Sequence, residues 1–179
     1  MMSLWNVLLL LGLIQCVLAV CPDGWIRRGN SCYFISTELH ASGDSVIYCL
    51  TNNATLAQVD DVQEMKFLRE IVKRFPTDAT AKQYYWIDGT RSQSNGISQW
   101  VRNIDRTPIT YFAWGSGKPS NLTGNSCLAL FNQVDFLFAD TSCYNNGLYI
   151  CELSDPVQSC VKTTPPPMAG TTGSWITLG

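Results

Sequence analysis

The spacing of apolar residues changes its period several times along this chain. Between residues 61 and 74, Val62, Met65, Leu68, Ile71 and Val72 recur at helical spacing. Asp61 stands three residues before Glu64, a capping-box-like start, and Phe75-Pro76 ends the run. Lys66, Arg69, Glu70 and Lys73 fall on the other face, which reads as solvated. Residues 37–50 read as an earlier helix, weakened by Gly43. Short β-prone runs occur at residues 33–35, 84–88, 128–131, 136–138 and 148–151, the second closed by Gly89. Residues 90–126 show neither period. Their Ser, Asn, Gly, Thr and Pro content predicts a long loop, and a loop of that length in a compact domain is usually functional.

The two ends have patterns of their own. Residues 1–20 are nearly all apolar, with the run at 7–14 and Val17-Leu18-Ala19 before a plausible cleavage point. The run is shorter than the roughly 20 residues of a membrane span, so residues 1–19 are expected to be a secretory signal peptide. No Lys or Arg precedes it, and an uncleaved anchor is the alternative. Residues 155–179 contain Thr163-Thr164-Pro165-Pro166-Pro167, which predicts a flexible, extended tail, and their end is too polar for a lipid-anchor signal. The expectation is one domain at residues 20–154 in a secreted, extracellular protein without a membrane anchor. Asn53-Ala54-Thr55 and Asn121-Leu122-Thr123 are N-glycosylation sequons, at Asn53 and Asn121.

Composition narrows the classes. A length of 179 residues suits one core, and a net charge of −2 gives no general attraction to nucleic acid. Of the eight cysteines, Cys16 would leave with the signal, so an odd number stays in an oxidising compartment. No Cys-x-x-Cys pair is present and His40 is the single histidine, so the cysteines read as disulfides rather than a zinc cluster. Cys21 and Cys32, eleven positions apart around a glycine-containing turn, suit a hairpin staple, or each pairs elsewhere. For catalysis only Asp60-Asp61 and His40 offer themselves, and no nucleophile is tied to them by motif. The chain is therefore expected not to be an enzyme.

Tyr84-Tyr85-Trp86-Ile87-Asp88-Gly89, Gln99-Trp100, Tyr111-Phe112, Trp114, Lys118-Pro119-Ser120, Cys127, Phe138-Ala139-Asp140, Cys143 and Cys151-Glu152 follow one another in register. Over residues 21–152 this order resembles a C-type lectin-like domain, with Asp88 inserted before the glycine of a Trp-Ile-Gly core strand. The resemblance implies an α+β fold: two helices flanking small antiparallel sheets, with a long loop region that carries the ligand site. It also implies the disulfides Cys21–Cys32, Cys49–Cys151 and Cys127–Cys143. Cys160 is then left over, as an interchain bridge in a homodimer or as a free thiol.

Family members that bind sugar through calcium use Glu-Pro-Asn or Gln-Pro-Asp, a further acid, and Trp-Asn-Asp. The matching positions here hold Lys118-Pro119-Ser120, Asn125 and Phe138-Ala139-Asp140, so Asp140 is the one carboxylate kept. Calcium needs six to eight oxygen ligands. The resemblance therefore implies no calcium at the principal site, and neither metal nor cofactor is expected. The Lys118 ammonium is expected to stand in for the metal by pairing with Asp140, unless both point into water. Candidate ligand-binding residues are Lys118, Ser120, Asn121, Asn125 and Asp140. Arg91, Arg102, Arg106 and Lys118 face only Asp105 in charge between residues 89 and 134, which adds the arginines and suits an anionic glycan. The expected function is a secreted lectin-like binding protein for a carbohydrate or other surface ligand, with an innate immune role. The alternative is a self-associating matrix protein that uses the fold for protein contacts.

Overall fold

The computed structural model describes residues 14–16, 20–75, 82–94, 96–120, 124–154 and 160–162. The chain divides into two units, one of residues 20–156 and one combining residues 1–19 with 157–179. In the second, β1 (Ile14–Cys16) pairs antiparallel with β10 (Cys160–Lys162), Cys16 opposite Cys160 along the backbone. Most of the expected signal peptide and tail, the Cys160 thiol and Asn121 lie outside the described residues. Among the described residues no helix is long and apolar enough to cross a membrane.

The larger unit is α+β. Its elements are β2 (Ile26–Arg28), β3 (Ser31–Ile35), α1 (Ser42–Thr51), β4 (Thr55–Leu56), α2 (Val62–Val72), β5 (Tyr84–Ser94), β6 (Ile97–Val101), β7 (Ser126–Phe131), β8 (Leu137–Ser142) and β9 (Leu148–Ser154). The sheet runs β2-β3-β9-β5-β7-β8, with β4 also on β9 and β6 also on β5. It is mixed rather than purely antiparallel, because β5 and β9 run parallel where Trp86 faces Tyr149. The antiparallel β3–β9 pair brings the two ends of the domain together, Phe34 opposite Cys151.

Two apolar clusters lie on opposite faces of the central strands. Tyr85, Ile87, Leu128 and Leu130 enter the first, where α2 contributes Met65, Leu68, Ile71 and Val72. Trp86, Cys127 and Ala129 enter the second with Cys49 of α1 and Cys151. β5 and β7 are thus covered on both faces, and this is why they read as unbroken apolar runs in the sequence. Disulfides join Cys21 to Cys32, Cys49 to Cys151 and Cys127 to Cys143.

Two expectations need correction. The first helix starts at Ser42, not near residue 37. The preceding segment is recruited by the sheet: Ser36 N donates to Tyr149 O, and His40 and Gly147 exchange backbone bonds of 2.9 Å each. Trp86 Nε1 then donates to His40 O at 2.9 Å, across a Gly147 whose missing Cβ would lie 3.0 Å from that nitrogen. The second correction concerns residues 90–126, which are not loop throughout. β5 continues to Ser94 and folds back on β6, from Thr90 opposite Val101 to Ser94 opposite Ile97. The ladder satisfies the backbone of a hairpin whose outer β6 residues, Ile97, Ser98 and Gln99, are all exposed, so no apolar alternation marks it.

The α2 face read as solvated is partly spent too: Arg69 and Lys73 both pair with Asp135, a left-handed residue (φ 58°) in the turn before β8. Lys73 first, and Arg69 after it, hold the Asp135 carboxyl below its usual range.

Asp61 caps α2, its Oδ1 accepting from Gln63 N at 2.7 Å and Glu64 N at 2.8 Å. Glu64 does not return to Asp61, as a capping box would require. It is buried, and its Oε1 accepts from Tyr33 Oη at 2.5 Å, while the same hydroxyl lies 3.2 Å from Glu152 Oε1. Burial is the main force pushing the Glu64 carboxyl above the usual range, with the Glu152 charge adding to it. The folded state therefore favours the neutral form of Glu64 more than the unfolded chain does. Stability is expected to fall as pH rises from the ordinary carboxylate range, about 4.3, through the raised value. Glu64→Gln, which stays neutral, is expected to flatten that part of the profile. Urea midpoints of both proteins between about pH 4 and 7 check it, and parallel profiles would contradict it.

Candidate ligand site

The site is assembled by β8 and the loop that precedes β7. Gly115 N donates to Phe138 O at 2.9 Å, and Lys118 N donates back to Gly115 O at 3.0 Å, so a tight turn is pinned on β8. A Cβ at Gly115 would stand 2.5 Å from Val134 Cβ, so the close approach requires glycine. The turn delivers the Lys118–Pro119 bond, which is cis, to Asp140, itself opposite Leu128 in the β7–β8 ladder.

The Asp140 side chain is 0% exposed and that of Lys118 is 19% exposed. Asp140 Oδ1 accepts from Ser120 N at 2.5 Å and lies 3.9 Å from Lys118 Nζ. Lys118 Nζ donates to Ser120 Oγ at 2.8 Å and sits 5.9 Å from the centre of the Phe131 ring. The ammonium is therefore held from below by a buried carboxylate and an aromatic face. Its three N–H groups exceed the partners below it, so a donor direction is left for a ligand beside the half-buried Ser120 hydroxyl. Among the described residues Asp140 Oδ2 has no hydrogen-bond partner.

This donor set does not fit calcium. It offers one carboxylate and a cation where a calcium ion needs several anionic oxygens. Ala139, the middle of the third triplet, is 0% exposed and opposite Ala129 in the second apolar cluster, so the register turns it away from Asp140. No group of three or more His, Cys, Asp or Glu suited to a metal ion exists among the described residues.

The other candidates go elsewhere. Arg102 is 12% exposed at its side chain and pairs with Asp60 and Asp88. Asp88 is buried and holds the chain after β6, its Oδ1 accepting from Asn103 N at 2.9 Å and Asn103 Nδ2 at 2.7 Å. Burial pushes its carboxyl up, against the pull of Asn103 and Arg102. Arg91 Nε donates to Ser98 Oγ at 2.6 Å across the β5–β6 hairpin, and Arg106 is an exposed left-handed residue (φ 62°). With Arg102 and Lys118 each matched by a carboxylate, the charge count overstated the cationic surface of the loop. Asn125 donates from Nδ2 to Tyr144 Oη at 3.1 Å. Asn53 is an exposed left-handed residue (φ 55°) just past α1. His40 packs on the Tyr149 ring and lies 3.6 Å from Glu38, while Asp60 pairs with Arg102 and Asp61 caps α2. Those three residues form no joint site. Sequence reasoning missed the Asp88 hub, since a carboxylate inside a core strand was the only sign of it.

The lectin C-type domain family model matches residues 39–153, and the chain belongs to that family. Its members are in general binding proteins rather than enzymes. Human C-type lectin domain family 17, member A is 25% identical over 141 residues, covering 79% of this chain and 34% of that protein. The human NKG2-C type II integral membrane protein is 40% identical over 52 residues, 29% of this chain and 22% of that protein. The chain thus spans about a third or less of the length of these curated relatives. Among solved structures, the calcium-independent C-type lectin SPL-2 from Saxidomus purpuratus is 34% identical, with a TM-score of 0.63, over 74% of this chain and 93% of that one. SPL-1, solved as a complex with GlcNAc, is 27% identical with the same TM-score, over 74% of this chain and 94% of that one.

Proposed function

We propose that the protein is a secreted lectin that binds carbohydrate without calcium, at the Lys118–Ser120 corner backed by Asp140. The observation that carries the reading is the Lys118 ammonium held 3.9 Å from a fully buried Asp140 carboxylate, where calcium-dependent relatives would place an ion. Asp140 positions the cation; Lys118 Nζ and Ser120 Oγ meet the ligand. A sugar hydroxyl accepts from the ammonium and exchanges a second bond with the serine, a charge-assisted pair that takes over the anchoring role of a metal. The similarity to a calcium-independent lectin, and to a protein solved with GlcNAc, supports carbohydrate as the ligand class. With Arg102 matched by Asp60 and Asp88, a neutral glycan fits this corner as well as an anionic one. An extracellular role in innate recognition of glycan-bearing surfaces follows from secretion and sugar binding together.

The test is a glycan array probed with the secreted protein, in calcium and in excess chelator. Binding of defined saccharides at equal strength in both is expected. Signal that the chelator abolishes, or no saccharide bound in either buffer, would overturn the reading.

A further inference from the structure

An aromatic ring with no part in either apolar cluster stands a few residues beyond Asp140 along the chain. Tyr144 is 76% exposed, in the turn that follows β8. A tyrosine so exposed is ordinarily left to rotate, yet this one is restrained from several sides. Asn125 Nδ2 donates to its hydroxyl at 3.1 Å, and its own backbone N donates to Ser142 Oγ at 3.4 Å. The preceding residue is tied to β7 by the Cys127–Cys143 disulfide, and to the residue just before β7 by Cys143 N donating to Asn125 O at 3.2 Å. Asp140, Ser142 and Tyr144 are alternate residues along one stretch. Four residues separate Asp140 from Tyr144, so their Cα atoms lie within about 14 Å of each other, and the Asn125 that holds the ring hydroxyl is five residues from Ser120.

We propose that Tyr144 is a second saccharide subsite, a stacking platform for the C–H face of a pyranose linked to the sugar held by Lys118 and Ser120. The proposal rests on the carbohydrate reading above and narrows its ligand class to saccharides of two or more rings. The negative face of an aromatic ring attracts the weakly positive C–H bonds of a pyranose, and their contact removes apolar surface from water. A ring already fixed by Asn125 loses little rotamer freedom when a sugar stacks on it. Asn125 is thus a positioning residue: it aims Tyr144 and does not touch the first sugar.

The test measures affinity for GlcNAc and for its β1,4-linked dimer by titration calorimetry. The proteins are wild type, Tyr144→Ala, Tyr144→Phe and Asn125→Ala. Wild type is expected to prefer the dimer, and Tyr144→Ala to cut the dimer-to-monomer affinity ratio about tenfold. Tyr144→Phe keeps the ring and loses the restraint, so it and Asn125→Ala are expected to share a smaller loss, about two- to threefold. A ratio unchanged in Tyr144→Ala, with both sugars bound by wild type, overturns this subsite and leaves the carbohydrate reading standing. Wild-type protein that binds neither sugar overturns this subsite, whereas the carbohydrate reading falls only if the array shows no saccharide bound.

Discussion

Removing the Cys49–Cys151 disulfide, as Cys49→Ala with Cys151→Ala, is expected to lower the free energy of unfolding by about 4–5 kcal/mol. The two cysteines are 102 positions apart, and both are 0% exposed. Opening a loop of that length restores much more freedom to the unfolded chain than opening either shorter loop. Those separations are 11 and 16, for which the same chain-entropy relation gives about 3 kcal/mol each. A further penalty is structural, because the bridge ties α1 to β9 inside the second apolar cluster. Against a typical total of about 5–15 kcal/mol, the loss takes about a quarter or more of the stability. Thermal unfolding of the paired variants checks the order: the melting temperature is expected to fall by about 15 °C without Cys49–Cys151, and by clearly less without Cys21–Cys32. Equal shifts would show that loop length does not set the ranking.

The second large effect is expected at Lys118. Lys118→Met keeps most of the side chain's length and removes its charge, leaving the Asp140 carboxylate buried with Ser120 N–H as its one described hydrogen-bond donor. Stranding a buried charge in this way is expected to cost about 3 kcal/mol and to abolish saccharide binding. Asp140→Asn removes the charge from the other side, and the double variant is expected to be less damaged than the two single effects summed, by at least about 1 kcal/mol. Denaturant unfolding of the four proteins gives that coupling. Additivity within about 0.5 kcal/mol would mean that the pair does not interact. Calcium is expected to change none of the four melting temperatures, since neither variant creates the oxygen ligands the ion needs.

Much of the architecture could be read along the chain because it depends on local pattern. The α2 stripe from Met65 to Val72 and its Asp61 cap are encoded within a few residues of each other. β5, β7 and β9 were visible because residues covered on both faces leave continuous apolar runs. The β5–β6 hairpin was not visible, since its stability lies in a backbone ladder that polar side chains do not advertise. The late start of α1 was hidden for a related reason: residues 36 and 40 bond to β9 and to Gly147, more than a hundred positions away.

At the candidate site the same division holds. The replacement of the family's acidic triplets by Lys118-Pro119-Ser120 and Phe138-Ala139-Asp140 is written in the sequence, and with it the mismatch to calcium. That Lys118 reaches Asp140, that Ala139 faces the opposite core, and that Arg102 is spent on Asp60 and Asp88 are not. Nor is the restraint of Tyr144 by Asn125. Residue identity alone determined which charges exist and how many could ligate a metal. Only the tertiary structure decided which of them meet, because an ion pair depends on distance and burial, and those are set by strand register and chain crossings that no local pattern records.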